Sequence, residues 1–75
     1  MNATLTQTTE AELLMLFRDR MTPYAGRYAK EDHALQETIK VNGMDIVKAL
    51  QNNHGHSLAD SVAMMRMVLN GLNIE

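Results

Sequence analysis

The sequence predicts an all-α fold, a small bundle of three to four short helices. Three observations carry that expectation. Apolar residues recur at spacings of three and four in separate stretches of the 75-residue chain. Thr9 with Glu12, and Ser57 with Asp60, sit ahead of apolar runs in the arrangement of a capping box, the second with aspartate in place of glutamate. No cysteine is present, so no disulfide framework replaces a hydrophobic core. The competing reading is α+β, with one β-hairpin at residues 38–47.

Residues 1–8 are polar and threonine-rich and read as a flexible tail, leaving residues 9–75 as a single helical domain. Thr9 opens the first helix. Leu14, Phe17 and Met21 fall at i, i+3 and i+7 on one face, widened by Leu13 and Leu16. Pro23 disfavours helical backbone at Thr22 and ends this helix near Met21. Thr22 and Pro23 also have the form of an N-cap followed by proline at the first helical position. Tyr24, Tyr28, Leu35 and Ile39 lie within about 60° of one another on a helical wheel, which predicts a second helix from about Pro23 to Val41. Gly26 weakens its start or delays it.

Asn42-Gly43 admits two readings. In one, Gly43 ends the second helix in a left-handed conformation and a new helix starts near Asp45. In the other, Asn-Gly centres a type I′ hairpin that sets Ile39 opposite Ile46 and Lys40 opposite Asp45. The helical reading is preferred, because an isolated hairpin is marginal and the stripe from Tyr24 to Ile39 would have to be broken. Residues 47–51 then form a short helix and 52–56 a loop. Ser57 starts the last helix, where Leu58, Val62, Met65, Leu69 and Leu72 alternate spacings of four and three, the period of a bundle seam. Asn70-Gly71 is expected to end it, with Leu72 folding back onto Met67. Residues 41–46 and 69–74 echo one another, which suggests two helix ends with the same capping chemistry.

Composition excludes several function classes. Seven basic against nine acidic residues, a net charge of -2, rule out binding to nucleic acid or anionic lipid by bulk charge. Without cysteine there is no thiolate zinc site, iron–sulfur cluster or cysteine nucleophile. No apolar run approaches the roughly 20 residues of a membrane span, and the N-terminus lacks the pattern of a signal peptide, so a cytoplasmic protein with no membrane partner is expected. Ser57 and Ser61 sit in no nucleophile elbow, and no glycine-rich phosphate loop occurs. A chain this short is expected to leave little room for a buried cleft, and ligand pockets usually occupy about 300 Å³ or more. The protein is therefore read as no enzyme, with no cofactor. His54 and His56 have the spacing of two metal ligands, with His33 or Asp60 as further candidates, but chance matches of this kind are common and no metal site is assigned.

Two surfaces remain as binding candidates. The segment 18–30 holds Arg18, Arg20, Arg27 and Lys30 against Asp19 alone, interleaved with Tyr24 and Tyr28. Arginine and tyrosine dominate protein hot spots and also hold phosphates and stack on bases. Arg27 and Lys30 near a helix start are unfavourable to the dipole, which points to a use outside the fold, and reversing Arg20 and Arg27 to Glu is expected to leave the fold intact. The second surface is the last-helix seam, expected to mediate self-association as a homodimer with help from its methionines. A helix-turn-helix is disfavoured, since Arg66 is the last helix's one cation. The expected role is a small non-enzymatic protein-interaction module, such as an adaptor, inhibitor or regulatory subunit. The alternative is a small nucleic-acid-binding regulator that uses residues 18–30.

Overall fold

The computed structural model describes residues 8–74, so the expected flexible tail lies, apart from Thr8, outside the described residues. Three α-helices, each packed against the other two, form a bundle, and no strand occurs among the described residues. The hairpin alternative at residues 38–47 is thereby excluded.

The first helix, α1, spans Glu10–Met21. Its capping box is complete: the Glu12 N–H donates to Thr9 Oγ1 at 3.1 Å, and the Thr9 N–H donates to Glu12 Oε1 at 2.9 Å. The Thr9 N–H, and then the Thr9 hydroxyl, donate to the Glu12 carboxylate and hold it below its ordinary pKa, because they favour its charged form. The buried stripe is Leu13, Phe17 and Met21, at i, i+4 and i+8, with Leu14 and Leu16 on its flanks and Met15 facing out. Of the expected face, Phe17 and Met21 are buried, and Leu13 takes the central place expected of Leu14. The helix ends where Pro23 requires, and Thr22–Tyr24 forms one 3₁₀ turn.

The helix expected over Pro23–Val41 does not form as such. Gly26 adopts φ +80, a left-handed conformation that stops the chain from continuing helically. Its N–H instead donates to the Leu72 carbonyl at 2.9 Å, tying this loop to the C-terminal end of the bundle. Asp32 supplies a better start by accepting the Leu35 N–H at 3.0 Å. The second helix, α2, then runs His33–His54 in one piece.

Asn42-Gly43 neither caps a helix nor turns a hairpin. Gly43 is buried in mid-helix, and a Cβ there would lie 2.6 Å from Met65 Cε and 3.3 Å from Phe17 Cε1. The glycine makes room for side chains of both other helices. Asn42 closes a local bond, donating from Nδ2 to the Thr38 carbonyl at 2.8 Å. The left-handed glycine that ends α2 is Gly55, φ +73.

The third helix, α3, spans Leu58–Gly71 and is capped by Ser57 Oγ, which accepts the Asp60 N–H at 3.0 Å. Its left-handed terminator is Asn73, φ 59, two residues past Gly71. The Ile74 N–H reaches the Leu69 carbonyl at 2.9 Å and the Asn73 N–H reaches Asn70 at 3.0 Å, the bond pair of a Schellman motif. The echo between residues 41–46 and 69–74 is thus not shared capping. The first segment is helix interior and the second a helix end.

Helix propensity favours alanine over glycine by about 1 kcal/mol, while displacing a packed neighbour opposes it by a similar amount. Gly43→Ala is therefore expected to change stability by less than about 1 kcal/mol in denaturant unfolding, because the flexible end of Met65 can move. Gly43→Leu should destabilise by more than about 2 kcal/mol. In a Met65→Ala background, Gly43→Ala should become stabilising. A large loss for Gly43→Ala in both backgrounds would contradict the mid-helix packing.

Candidate functional site

Antiparallel α2 and α3 leave an open furrow along their junction. Near the α2–α3 turn it forms a depression of about 320 Å³ with Gly43 and Met65 at its floor and Met44, Val47, Leu58 and Val62 along its walls. Leu58 is 58% exposed, Met44 51% and Val62 37%, so the walls present large apolar side chains to solvent. Farther along, a second depression of about 640 Å³ is floored by Ala29, Leu69 and Ile74, with Gln36 and Asn70 at its sides. Ile39 lines both. Both depressions are open to solvent, and neither is a buried cleft.

The furrow follows from local sequence. Along α2 the lining residues step by three and four from Gln36 to Gln51, and along α3 from Leu58 to Asn70, so each helix offers one continuous stripe. The five-residue seam of α3 is thereby divided. Met65 and Leu72 are buried, Leu69 packs partly against the core, and only Leu58 and Val62 stay open. Within α3 the other buried residue is Ser61, whose hydroxyl donates to the Ser57 carbonyl at 2.8 Å. Met67, expected under Leu72, is 72% exposed instead.

The segment 18–30 looks different in three dimensions. Arg20 faces inward across the helix junction. Its guanidinium donates to Asp45 Oδ1 at 2.8 Å and Oδ2 at 3.2 Å, and to the Asn42 carbonyl at 2.8 Å. The Arg20 hydrogen bond holds the Asp45 carboxyl below its ordinary pKa, against the opposing effect of partial burial. Arg27 pairs with Asp32 at 3.2 Å. Tyr24 packs against the core, and Tyr28 stands exposed, as do Arg18 and Lys30. The two arginines most favoured as partner contacts are thus occupied within the fold, and Arg20 is a tie between α1 and α2.

The histidine pair serves the fold as well. His54 Nε2–H donates to the Thr8 carbonyl at 2.9 Å, and His56 Nε2 meets the Glu10 carboxylate, so both fasten the start of α1 to the α2–α3 turn. Among the described residues no group of three or more His, Asp or Glu side chains is arranged to hold a metal ion. No helix among them is long and apolar enough to cross a membrane.

Sequence reasoning missed the α2 wall of the furrow. Lys40, Met44 and Lys48 sit at i, i+4 and i+8, a signal available only once α2 is known to run through Gly43.

Arg20→Glu is expected to destabilise, not to leave the fold intact as the sequence alone suggested. Because the pair with Asp45 is partly exposed, losing it should amount to a few tenths to about 1 kcal/mol, with like-charge repulsion added. The sign with pH follows from the lowered Asp45 pKa. The pair's contribution is fully present above about pH 4 and fades as pH falls below it, so the wild-type advantage over Arg20→Ala should shrink in acid. Unfolding midpoints of both proteins at neutral pH and near pH 3 check this.

No family model, no curated protein and no solved structure matches this chain.

Proposed function

We propose that this protein is a small non-enzymatic interaction module of the cytoplasm, an adaptor, inhibitor or regulatory subunit, whose furrow between α2 and α3 receives an apolar ridge from a partner protein. One observation carries the reading. Met44, Leu58 and Val62 form an exposed apolar strip over the buried floor of Met65. Contiguous apolar surface of this kind marks interaction sites, whereas scattered exposed residues such as Met15 do not. Methionine at wall and floor suits a surface that adapts to an incoming side chain. Cysteine-free composition fits a reducing compartment. Of the five seam residues of α3, Leu58 and Val62 are exposed, so the proposed binding surface draws on α2 as much as on α3.

A photo-crosslinking amino acid at position 58 tests this in cells that express the chain. It should yield a discrete adduct with one protein, at least about tenfold above the yield from exposed position 31. Met44→Asp with Val62→Asp should abolish that adduct while circular dichroism shows the helices intact. Equal, diffuse labelling from both positions would overturn the reading. The adduct mass tells a second copy from a different chain.

A further inference from the structure

The furrow has a charge pattern that its apolar lining does not require. Lys40 and Lys48 line the first depression, and Lys30 and Arg66 the second, so four of the chain's seven lysines and arginines border one strip. Among the described residues no aspartate or glutamate lines either depression, although acids outnumber bases nine to seven in the full sequence. Lys40 lies 3.7 Å from Glu37 on its own helix, an exposed contact that neutralises little. Among the described residues no ion pair or hydrogen bond engages the side chains of Lys30, Lys48 or Arg66. From Gln36 to Gln51 the strip follows α2 for about 22 Å at 1.5 Å per residue, the length of a four-turn helix.

We propose that the occupant is an acidic amphipathic helix of another protein, its apolar ridge seated on Ile39 and Met65 and its flanking carboxylates paired with Lys40, Lys48 and Arg66. The inference rests on the interaction-module reading. Three physical arguments select this partner. A junction between two helices receives the ridge of a third at spacings of three and four, as in helix-in-groove recognition. Phosphates of a nucleic acid would meet the cations but leave the apolar floor wet, and a lipid surface is too flat to enter a concave strip. A second copy placed face to face would set the same four cations against their own counterparts, which repels.

Two synthetic helical peptides of about 18 residues decide the matter. Both carry leucines at i, i+3, i+4 and i+7, flanked by Glu in one and by Lys in the other. The Glu-flanked peptide should bind at least about tenfold more tightly by fluorescence anisotropy, against the protein's overall charge of -2, and should weaken as salt rises. Amide shifts should map to the furrow. Lys48→Glu with Arg66→Glu should reverse the preference. Equal affinity for the two peptides, shifts elsewhere, or binding to phosphatidylserine vesicles with none to the Glu-flanked peptide would overturn the proposal. If position 58 still gives its adduct in that event, the module stands and only the partner chemistry falls. If the adduct is also missing, both fall.

Discussion

The bundle depends on one close approach, at a position with no side chain. Phe17 from α1 and Met65 from α3 both come to Gly43 in α2, and each occupies room that a Cβ would need. Phe17 is fully buried and Met65 nearly so. A glycine inside a 22-residue helix works against that helix by about 1 kcal/mol relative to alanine. Dispersion contacts with the two buried side chains oppose that penalty, since each well-placed pair of atoms adds about 0.1–0.2 kcal/mol and such side chains make many. All three helices therefore share one contact point, and the relative placement of α2 and α3 is tied to it.

The furrow follows from that placement. Met65 lies in the core beside Gly43, so the residues one and two turns earlier on α3, Val62 and Leu58, lie along the rim. On the opposite wall the neighbours of Gly43 one position and one turn on, Met44 and Val47, border the same strip. The residue that packs the core is thus the floor of the groove, and a change at Gly43 or Met65 alters both at once. Stability and binding are coupled here through packing, with no separate site built on the scaffold. The Arg20–Asp45 pair and the two histidine contacts fasten α1 to α2 and to the α2–α3 turn, the pair on the far side of Met44 and Lys48 from the strip's floor.

What could be read from the sequence divides by range. Caps at Thr9, Ser57 and the stop at Pro23 were legible because their chemistry lies within four residues. Asn42-Gly43 was misread because the reason for that glycine sits on two other helices. A local clue did exist: Leu35, Ile39, Gly43, Ile46 and Leu50 keep a helical period straight through the dipeptide. The stripe drawn through Tyr24 and Tyr28 failed because Gly26 needs positive φ, which a wheel of side chains does not register. For the site, half was visible. Leu58 and Val62 stood out by their spacing, while Met44, Lys40 and Lys48 were hidden inside the misread segment. The pairing of Arg20 is not legible locally, because its partner, Asp45, is 25 residues away.

The distribution of charge separates what folding needs from what it does not. Glu12, Asp32 and Asp60 sit at helix starts, where carboxylates satisfy free N–H groups or complement the dipole. Glu10 and Asp45 hold His56 and Arg20. Most acids thus have a structural reason for their position. The furrow cations lack one, apart from the exposed contact of Lys40 with Glu37. None of Lys40, Lys48 and Arg66 lies in the last turn of a helix, where positive charge would help, and Lys30 precedes the start of α2, where it is mildly unfavourable. A fold under selection for stability alone has no use for four cations, with no acid among the described residues, along an apolar strip. The economical explanation is the external one proposed above: the strip suits carboxylates carried by another body whose shape fits between two helices.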